Sequence, residues 1–94
     1  MYKVIFEEDF VFDLEKAILY YTKINPRLAI NLFFEIKNSE KIIGSFPEIF
    51  RLRHKDLRRY NLETFPYLVF YRIKNESIQF LRLLHQSSDP VMWP

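Results

Sequence analysis

The sequence has no cysteine and a single glycine, Gly44. The first absence excludes disulfides and thiolate metal sites, and it suits a reducing cytoplasm, the compartment expected for this chain. The second argues against a glycine-rich phosphate loop. Only His54 and His85 represent histidine, without His-x-x-x-His or Glu-x-x-His spacing, so neither a metal site nor another cofactor is expected. No serine is framed as a nucleophile elbow. No apolar run nears the ~20 residues of a membrane span, and the opening MYKVIFEED lacks a signal-peptide pattern, so no membrane association is expected. The net charge is only +2, and the total does not indicate a general affinity for polyanions.

Apolar residues are abundant instead, at 49%, with aromatics at 18%, enough for a packed core without staples. The 94 residues are expected to form one domain, 1–94. Its organising stretch is Pro66 to His85, which reads PYLVFYRI, then KNE, then SIQFLRLLH. Two runs rich in β-branched and aromatic residues flank a polar break, the pattern of a β-hairpin. Asn75 is the residue there best suited to positive φ, so the turn is expected at that point. If Lys74 pairs with Ser77, strict alternation puts Leu68, Phe70, Leu81 and Leu83 on one face. Tyr67, Val69, Tyr71, Ile73, Ile78, Phe80 and Leu84 then share the other with Arg82. A three-residue loop would exchange the faces of one strand. Both faces are bulky and apolar, so the sheet should be central in a layered domain or half covered by a partner.

Before the hairpin, Tyr2 to Phe6 reads as a strand. Glu7, Glu8 and Asp9 suit the start of a helix, in which Phe10, Leu14, Ala17, Ile18 and Tyr21 recur at helical spacing. Asn25-Pro26 combines an N-cap with a favoured first helical residue. The apolar stripe that follows runs from Leu28 to Ile43, and Gly44 stands where a C′ glycine would end the helix. The two helices should form an antiparallel hairpin. Phe46, Ile49 and Phe50 are expected to tuck under the sheet. Arg51 to Leu62 holds a short strand, a turn and another strand. The order β-α-α-β-β-β predicts an α+β domain: a small, mostly antiparallel sheet with the helical hairpin on one face.

Three features could carry function. Arg51, Arg53, Lys55, Arg58 and Arg59, beside His54 and opposed only by Asp56, form the densest positive charge. They could meet RNA phosphates or an acidic partner peptide, or simply keep an edge strand from aggregating. His85, with Tyr67, Tyr71 and Arg82 expected near it, has the residue types for metal-free RNA cleavage, although a lone His at a strand end is commonly structural. Trp93, in the tail, should pack as a lid on the core or meet a partner.

The succession Asn25-Pro26-Arg27-Leu28-Ala29, Phe46-Pro47, Arg58-Arg59, Phe65 to Ile73, Ile78 to His85, then Asp89-Pro90 and Trp93 resembles the RelE/ParE toxin superfamily. It is closer to the ParE-like branch, and the resemblance covers nearly the whole chain. It implies the toxin of a bacterial type II toxin–antitoxin pair, wrapped by a cognate antitoxin protein. ParE-like members inhibit DNA gyrase by binding. RelE-like members are ribosome-dependent messenger RNA endonucleases that use basic residues near the second strand, an Arg early in the strand matching Tyr67–Ile73, and an Arg, His or Tyr after the last strand. Here Leu68 fills the early position, and Gln86, Ser87 and Ser88 follow the last strand. The favoured reading is therefore a gyrase-binding toxin with no catalytic residues. Arg58, Arg59, Tyr67, Tyr71, Phe80, Arg82 and Trp93 are its expected contacts with antitoxin or target. The alternatives are a ribosome-dependent endoribonuclease using Arg51, Arg53, Lys55 and His85, and a degenerate, weakly toxic member, to which Ser87-Ser88 points.

Overall fold

The computed structural model describes residues 2–90. Lys3–Phe6 forms β1, Glu8–Ile24 α1, Pro26–Ser45 α2, Leu52–His54 β2, Leu57–Asn61 β3, Tyr67–Lys74 β4 and Ser77–His85 β5. The strands lie in the order β1-β5-β4-β3-β2. β1 runs parallel to β5, and the other pairings are antiparallel. The α+β architecture is the expected one, with the helical hairpin on one face of the sheet. Arg51 to Leu62 forms the expected strand, turn and strand, β2 with β3, so four strands follow the helices where the order β-α-α-β-β-β counted three.

Local chemistry accounts for most boundaries. Asn25 is extended, at φ −163°, and its side chain accepts from the Arg27 amide at 3.0 Å. Its own amide donates to the Tyr21 carbonyl at 2.8 Å, so one residue ends α1 and caps α2. Asn75 takes φ 59° in the β4–β5 turn, and Lys74 pairs with Ser77 across a two-residue loop, as expected. Gly44 departs from expectation. It lies inside the last turn of α2, buried, and no glycine has positive φ. Its carbonyl accepts from the Tyr2 amide at 2.9 Å, so the missing side chain serves the close approach of β1 rather than a helix stop.

The core is aromatic at its centre. Phe10 of α1 meets Phe80 of β5 edge-on at 5.3 Å, and Phe6 of β1 meets Phe80 at 5.3 Å and Phe10 at 5.6 Å. Each such pair adds roughly 0.5–1.5 kcal/mol to the area its members bury. Leu32, Ile36 and Ile43 of α2 complete the helical side, against Val69, Tyr71, Ile78 and Leu83 of the sheet. Glu35 ties α2 to the β3–β4 loop by accepting from the Thr64 amide at 3.0 Å.

Strict alternation fails in β5. Tyr71 pairs with Phe80 but Phe70 pairs with Arg82, so Leu81 is a bulge residue. Leu83 therefore joins the core face opposite Val69, and Leu84 moves to the other face opposite Leu68, exchanging the places expected for them. The cause lies at the edge. β1 pairs with β5 only from Ser77 to Phe80. Beyond that point the outer edge of β5 is covered by α1, whose Asp13 accepts from the Leu83 amide at 3.0 Å and from the Arg82 guanidinium at 2.7 and 3.1 Å. A carboxylate on a helix thus replaces the missing strand.

Leu68 and Phe70, on the face away from the helices, are also buried, at 3% and 2% exposure. The surplus of apolar surface expected on the sheet lies on the helices instead. Phe12 and Leu19 of α1 are 60% and 62% exposed, and Ile30 and Phe34 of α2 are 55% and 64%.

Replacing Asp13 with Ala removes the acceptor of both the Leu83 amide and Arg82. Stability should fall by about 2 kcal/mol at neutral pH, measured by urea denaturation. An unchanged midpoint would mean that strand pairing alone holds the bulge.

Candidate functional site

Three surfaces compete for function, and the sheet register fixes how far apart they lie. The first is at the end of β5. Tyr67 and His85 are cross-strand partners whose rings meet edge-on at 5.2 Å. Tyr21 stands 6.3 Å from Tyr67 and 5.1 Å from Tyr20. His85 Nδ1 accepts from the Ser87 amide at 3.0 Å and has Ser87 Oγ at 2.7 Å. A neutral imidazole therefore carries its proton on Nε2. Tyr20, Tyr21, Ile24, Tyr67, His85 and Ser87 line an open depression of about 310 Å³. It adjoins a larger one of about 500 Å³ that includes Asp13, Lys16 and Arg82. Burial, then the neighbouring phenols Tyr21 and Tyr20, push the Tyr67 hydroxyl above its ordinary pKa. Tyr21 is raised as well, by burial first and Tyr20 second. Both phenols stay protonated near neutral pH and cannot act as the base for a 2′-hydroxyl. Arg82 is committed to Asp13, and that hydrogen bond is the main reason its pKa is raised.

The second surface is the β2–β3 hairpin. Arg51, Arg53, His54 and Lys55 are exposed. Arg58 turns inward instead, and its guanidinium donates to the carbonyls of Phe50 at 2.6 Å and Glu48 at 3.2 Å. Tyr71, paired with Arg58 across β3 and β4, donates from its hydroxyl to the Pro47 carbonyl at 2.6 Å. Burial pushes Tyr71 up to about 12, against a small opposing effect of Arg58. Together these two side chains hold the loop between α2 and β2. Arg59 is partly buried, and burial first, then Arg53, lowers its pKa.

This grip overturns the expected path of residues 46–50. Pro47 and Phe50 face inward, with Phe50 edge-on to Tyr60 at 4.9 Å, while Phe46 and Ile49 point out at 60% and 66% exposure. Tyr71 and Arg58 claim the backbone carbonyls of the loop, which leaves those two side chains no route under the sheet.

The third surface is the outer side of the helical hairpin. Phe12 and Leu19 are seven residues apart, on one stripe of α1. Ile30, Phe33 and Phe34 share a stripe of α2 with the exposed cations Arg27, Lys37 and Lys41. Lys37 is paired with Glu40 at 2.8 Å.

The residues nominated for RNA cleavage do not converge. Leu52 pairs with Arg58, Arg58 with Tyr71 and Tyr71 with Phe80, while His85 pairs with Tyr67. Three interstrand steps across and four residues along separate β2 from His85, about 14 Å by 13 Å, or close to ~20 Å. Arg51, Arg53 and Lys55 cannot share a single phosphodiester with His85. Of the positions expected to contact partners, Tyr71 and Phe80 are fully buried, Arg58 holds the loop, Tyr67 meets His85 and Arg82 meets Asp13. Trp93 lies outside the described residues. Sequence reasoning missed Asp13, although its signal was present: it is an acid one turn from Phe10 and Ala17 on the inward side of α1. No group of residues able to hold a metal ion, and no helix long and apolar enough to cross a membrane, occurs among the described residues.

A small mixed sheet carrying a helical hairpin on one face is a framework shared with a family of toxins. The family described as the ParE toxin of the type II toxin–antitoxin system parDE matches residues 4–90. The chain belongs to the ParE toxin family. Among solved structures it is similar to a chain of the chromosomal ParDE toxin–antitoxin system from P. aeruginosa. That match has a TM-score of 0.78 and 22% identity over 90% of this chain and 96% of that one. It is also similar to a conserved hypothetical protein from Helicobacter pylori, with a TM-score of 0.60 and 19% identity over 94% of this chain and 98% of that one. These likenesses concern the fold. No curated protein sequence matches the chain.

Tyr71→Phe should lower stability by about 1 kcal/mol at pH 7 through the lost hydrogen bond to Pro47. It should also change the alkaline limb. The unfolded phenol ionises near 10 and the folded one near 12, so the stability that Tyr71 contributes is complete below 10 and is lost as pH rises from 10 to 12. The Phe variant should lack that component of the decline in urea titrations between pH 9 and 12. A parallel decline in both proteins would assign the alkaline limb to other groups.

Proposed function

We propose that this ParE-family toxin acts by binding, with DNA gyrase as its target, and that a cognate antitoxin neutralises it by covering the outer face of the helical hairpin. The observation that carries the binding reading is the separation of His85 from Arg51, Arg53 and Lys55 by roughly 20 Å. A ribosome-dependent nuclease would need a base, a proton donor and phosphate-binding cations around one scissile bond. Here the cations lie on β2, the imidazole is at the end of β5, and the phenols beside it are held protonated. The choice of gyrase rests on membership of the ParE family; Gln86, Ser87 and Ser88 after β5, in place of an Arg, His or Tyr, count against the nuclease and suit a weakly toxic member as well.

The antitoxin reading is supported by the helices. A monomer rarely leaves large apolar side chains uncovered along two adjacent helices, and exposed stripes of this kind mark protein interfaces. An amphipathic helix laid on α1 and α2 could bury Phe12, Leu19, Ile30 and Phe34. A partner at a thousandfold over its dissociation constant would add about 4 kcal/mol to stability, and the melting temperature should rise accordingly.

Induction of the chain alone in bacteria should stop thymidine incorporation before amino-acid incorporation, with messenger RNA intact. His85→Gln should leave growth arrest unchanged. Cleaved transcripts, early loss of protein synthesis and a harmless His85→Gln variant would together move the endoribonuclease reading ahead. Growth unaffected by the wild type would identify a degenerate member. Phe34→Asp should reduce rescue by the antitoxin while leaving growth arrest by the toxin alone intact. Equal rescue of variant and wild type would place the antitoxin elsewhere.

A further inference from the structure

The ledge formed by residues 46–55 is left over once the core, the β5 edge and the helical face have been accounted for. Phe46, Ile49 and Leu52 are 60%, 66% and 49% exposed. They are held outward by a rigid mounting. Pro47 is anchored through its carbonyl to the buried Tyr71 hydroxyl at 2.6 Å. Glu48 and Phe50 are anchored through theirs to Arg58 at 3.2 and 2.6 Å. Leu52, Arg58 and Tyr71 are successive cross-strand partners, so Leu52 faces the same side of the sheet as the loop. Arg51 and Arg53 flank Leu52 in the chain and are exposed, and Lys55 is exposed in the β2–β3 turn beside Asp56. The ledge thus combines exposed apolar side chains with three exposed cations, against the single carboxylate of Glu48.

Protection of an edge strand would explain the cations but not the apolar side chains. Lys and Arg on a short edge strand prevent sheet-to-sheet pairing, whereas three large exposed apolar side chains beside them encourage association. The turn adds an independent sign. Two turns in the described chain need a residue with positive φ. One uses Asn75, at 59°, a residue that tolerates the conformation. The other uses Lys55, at 52°, in the two-residue loop between His54 and Leu57. Lysine gains nothing locally from that conformation, and strained residues that persist tend to sit where function needs the side chain. Here it places a cation at the end of the ledge.

We infer that the 46–55 ledge is a second docking surface, separate from the helical face, and that it takes an acidic segment of the protein that the toxin poisons. The cations select acidic chemistry, and Ile49 and Leu52 select a protein, since, unlike Phe46, they offer bases no stacking face and they offer phosphates no hydrogen bond. The inference rests on the reading that the chain acts by binding. It assigns the target to side chains other than those that the antitoxin covers, so that the antitoxin would exclude the target by its bulk rather than by occupying the ledge.

The test uses the full chain with Ile49→Asp, Arg53→Glu and Lys55→Asn. Growth arrest on induction and capture of purified DNA gyrase are measured, with the melting temperature as a control. Ile49→Asp and Arg53→Glu should each weaken capture by about tenfold or more and relieve growth arrest, at an unchanged melting temperature. Lys55→Asn should melt higher than the wild type yet bind more weakly, a combination that a purely structural turn would not give. Wild-type growth arrest by Ile49→Asp and Arg53→Glu would overturn the inference, as would a wild type that arrests nothing. If the wild type arrests growth without capturing gyrase, the gyrase reading falls. The ledge is then judged by arrest alone, standing if the two variants lose it. A duplex DNA oligonucleotide provides the remaining arm. Capture of that DNA that is lost with Arg53→Glu and kept with Ile49→Asp would show a nucleic-acid surface and refute the protein segment.

Discussion

The contact on which this fold most depends is the carboxylate of Asp13 against the open edge of β5. A strand that is paired on both sides for four residues and then loses a neighbour has amides with no partner. Leaving them in a crowded interface costs on the order of 1–3 kcal/mol each. Asp13 meets that need from a helix and brings Arg82 with it. The strand responds with a bulge at Leu81 that turns Leu83 into the core and sets His85 opposite Tyr67. The aromatic centre of Phe6, Phe10 and Phe80 sits just before the bulge, where β1 still pairs with β5. Helix position, strand register and the end of the sheet are therefore one coupled arrangement. With no cysteine in the sequence, no disulfide contributes to it.

The same coupling explains what could be read in the amino-acid order and what could not. Asn25-Pro26 and Asn75 were legible because each acts locally: a side-chain cap, a fixed φ, a tolerated left-handed conformation. The helices and the strands followed from periodicity, although the order written from it had one strand fewer than the sheet holds. The bulge was hidden because β5 reads Phe80-Leu81-Arg82-Leu83-Leu84, and a run apolar at nearly every position shows no break when one residue is skipped. Gly44 misled because glycine near a helix end has two uses, a left-handed stop and a close approach. Only the position of Tyr2 distinguishes them. Phe46 and Ile49 misled for a related reason. Hydrophobicity predicts burial only when no stronger demand acts on the backbone, and Tyr71 and Arg58 make such a demand on the carbonyls of residues 47, 48 and 50.

The candidate sites were legible as residue types and not as places. The basic run was visible as a cluster, yet its members divide by role. Arg58 works inward on the loop, while Arg51, Arg53 and Lys55 remain at the surface. Tyr67, Tyr71, Arg82 and His85 share a hairpin in sequence. In the sheet, Tyr71 belongs to the loop anchor, Arg82 to the helix, and Tyr67 with His85 to the far end. A one-residue change of register is enough to make or dissolve a proposed catalytic constellation, so residue composition near a strand end says little about chemistry until the pairing is known.

A protein of this size that works by binding must present surface without collapsing onto it. An interface gains affinity when its side chains are already ordered, because the entropy of fixing them has been lost during folding rather than on association. The helices provide this through their own backbone hydrogen bonds, which hold Phe12, Leu19, Ile30 and Phe34 in regular rows. The loop after α2 has no such ladder, and Tyr71 and Arg58 supply the equivalent from within the sheet. On the proposed reading, two separate surfaces would let the partner that silences the toxin and the partner that it attacks be recognised by different side chains. Substitutions on the ledge would then alter the target without releasing the antitoxin, and substitutions on the helices would alter the antitoxin without blunting the toxin.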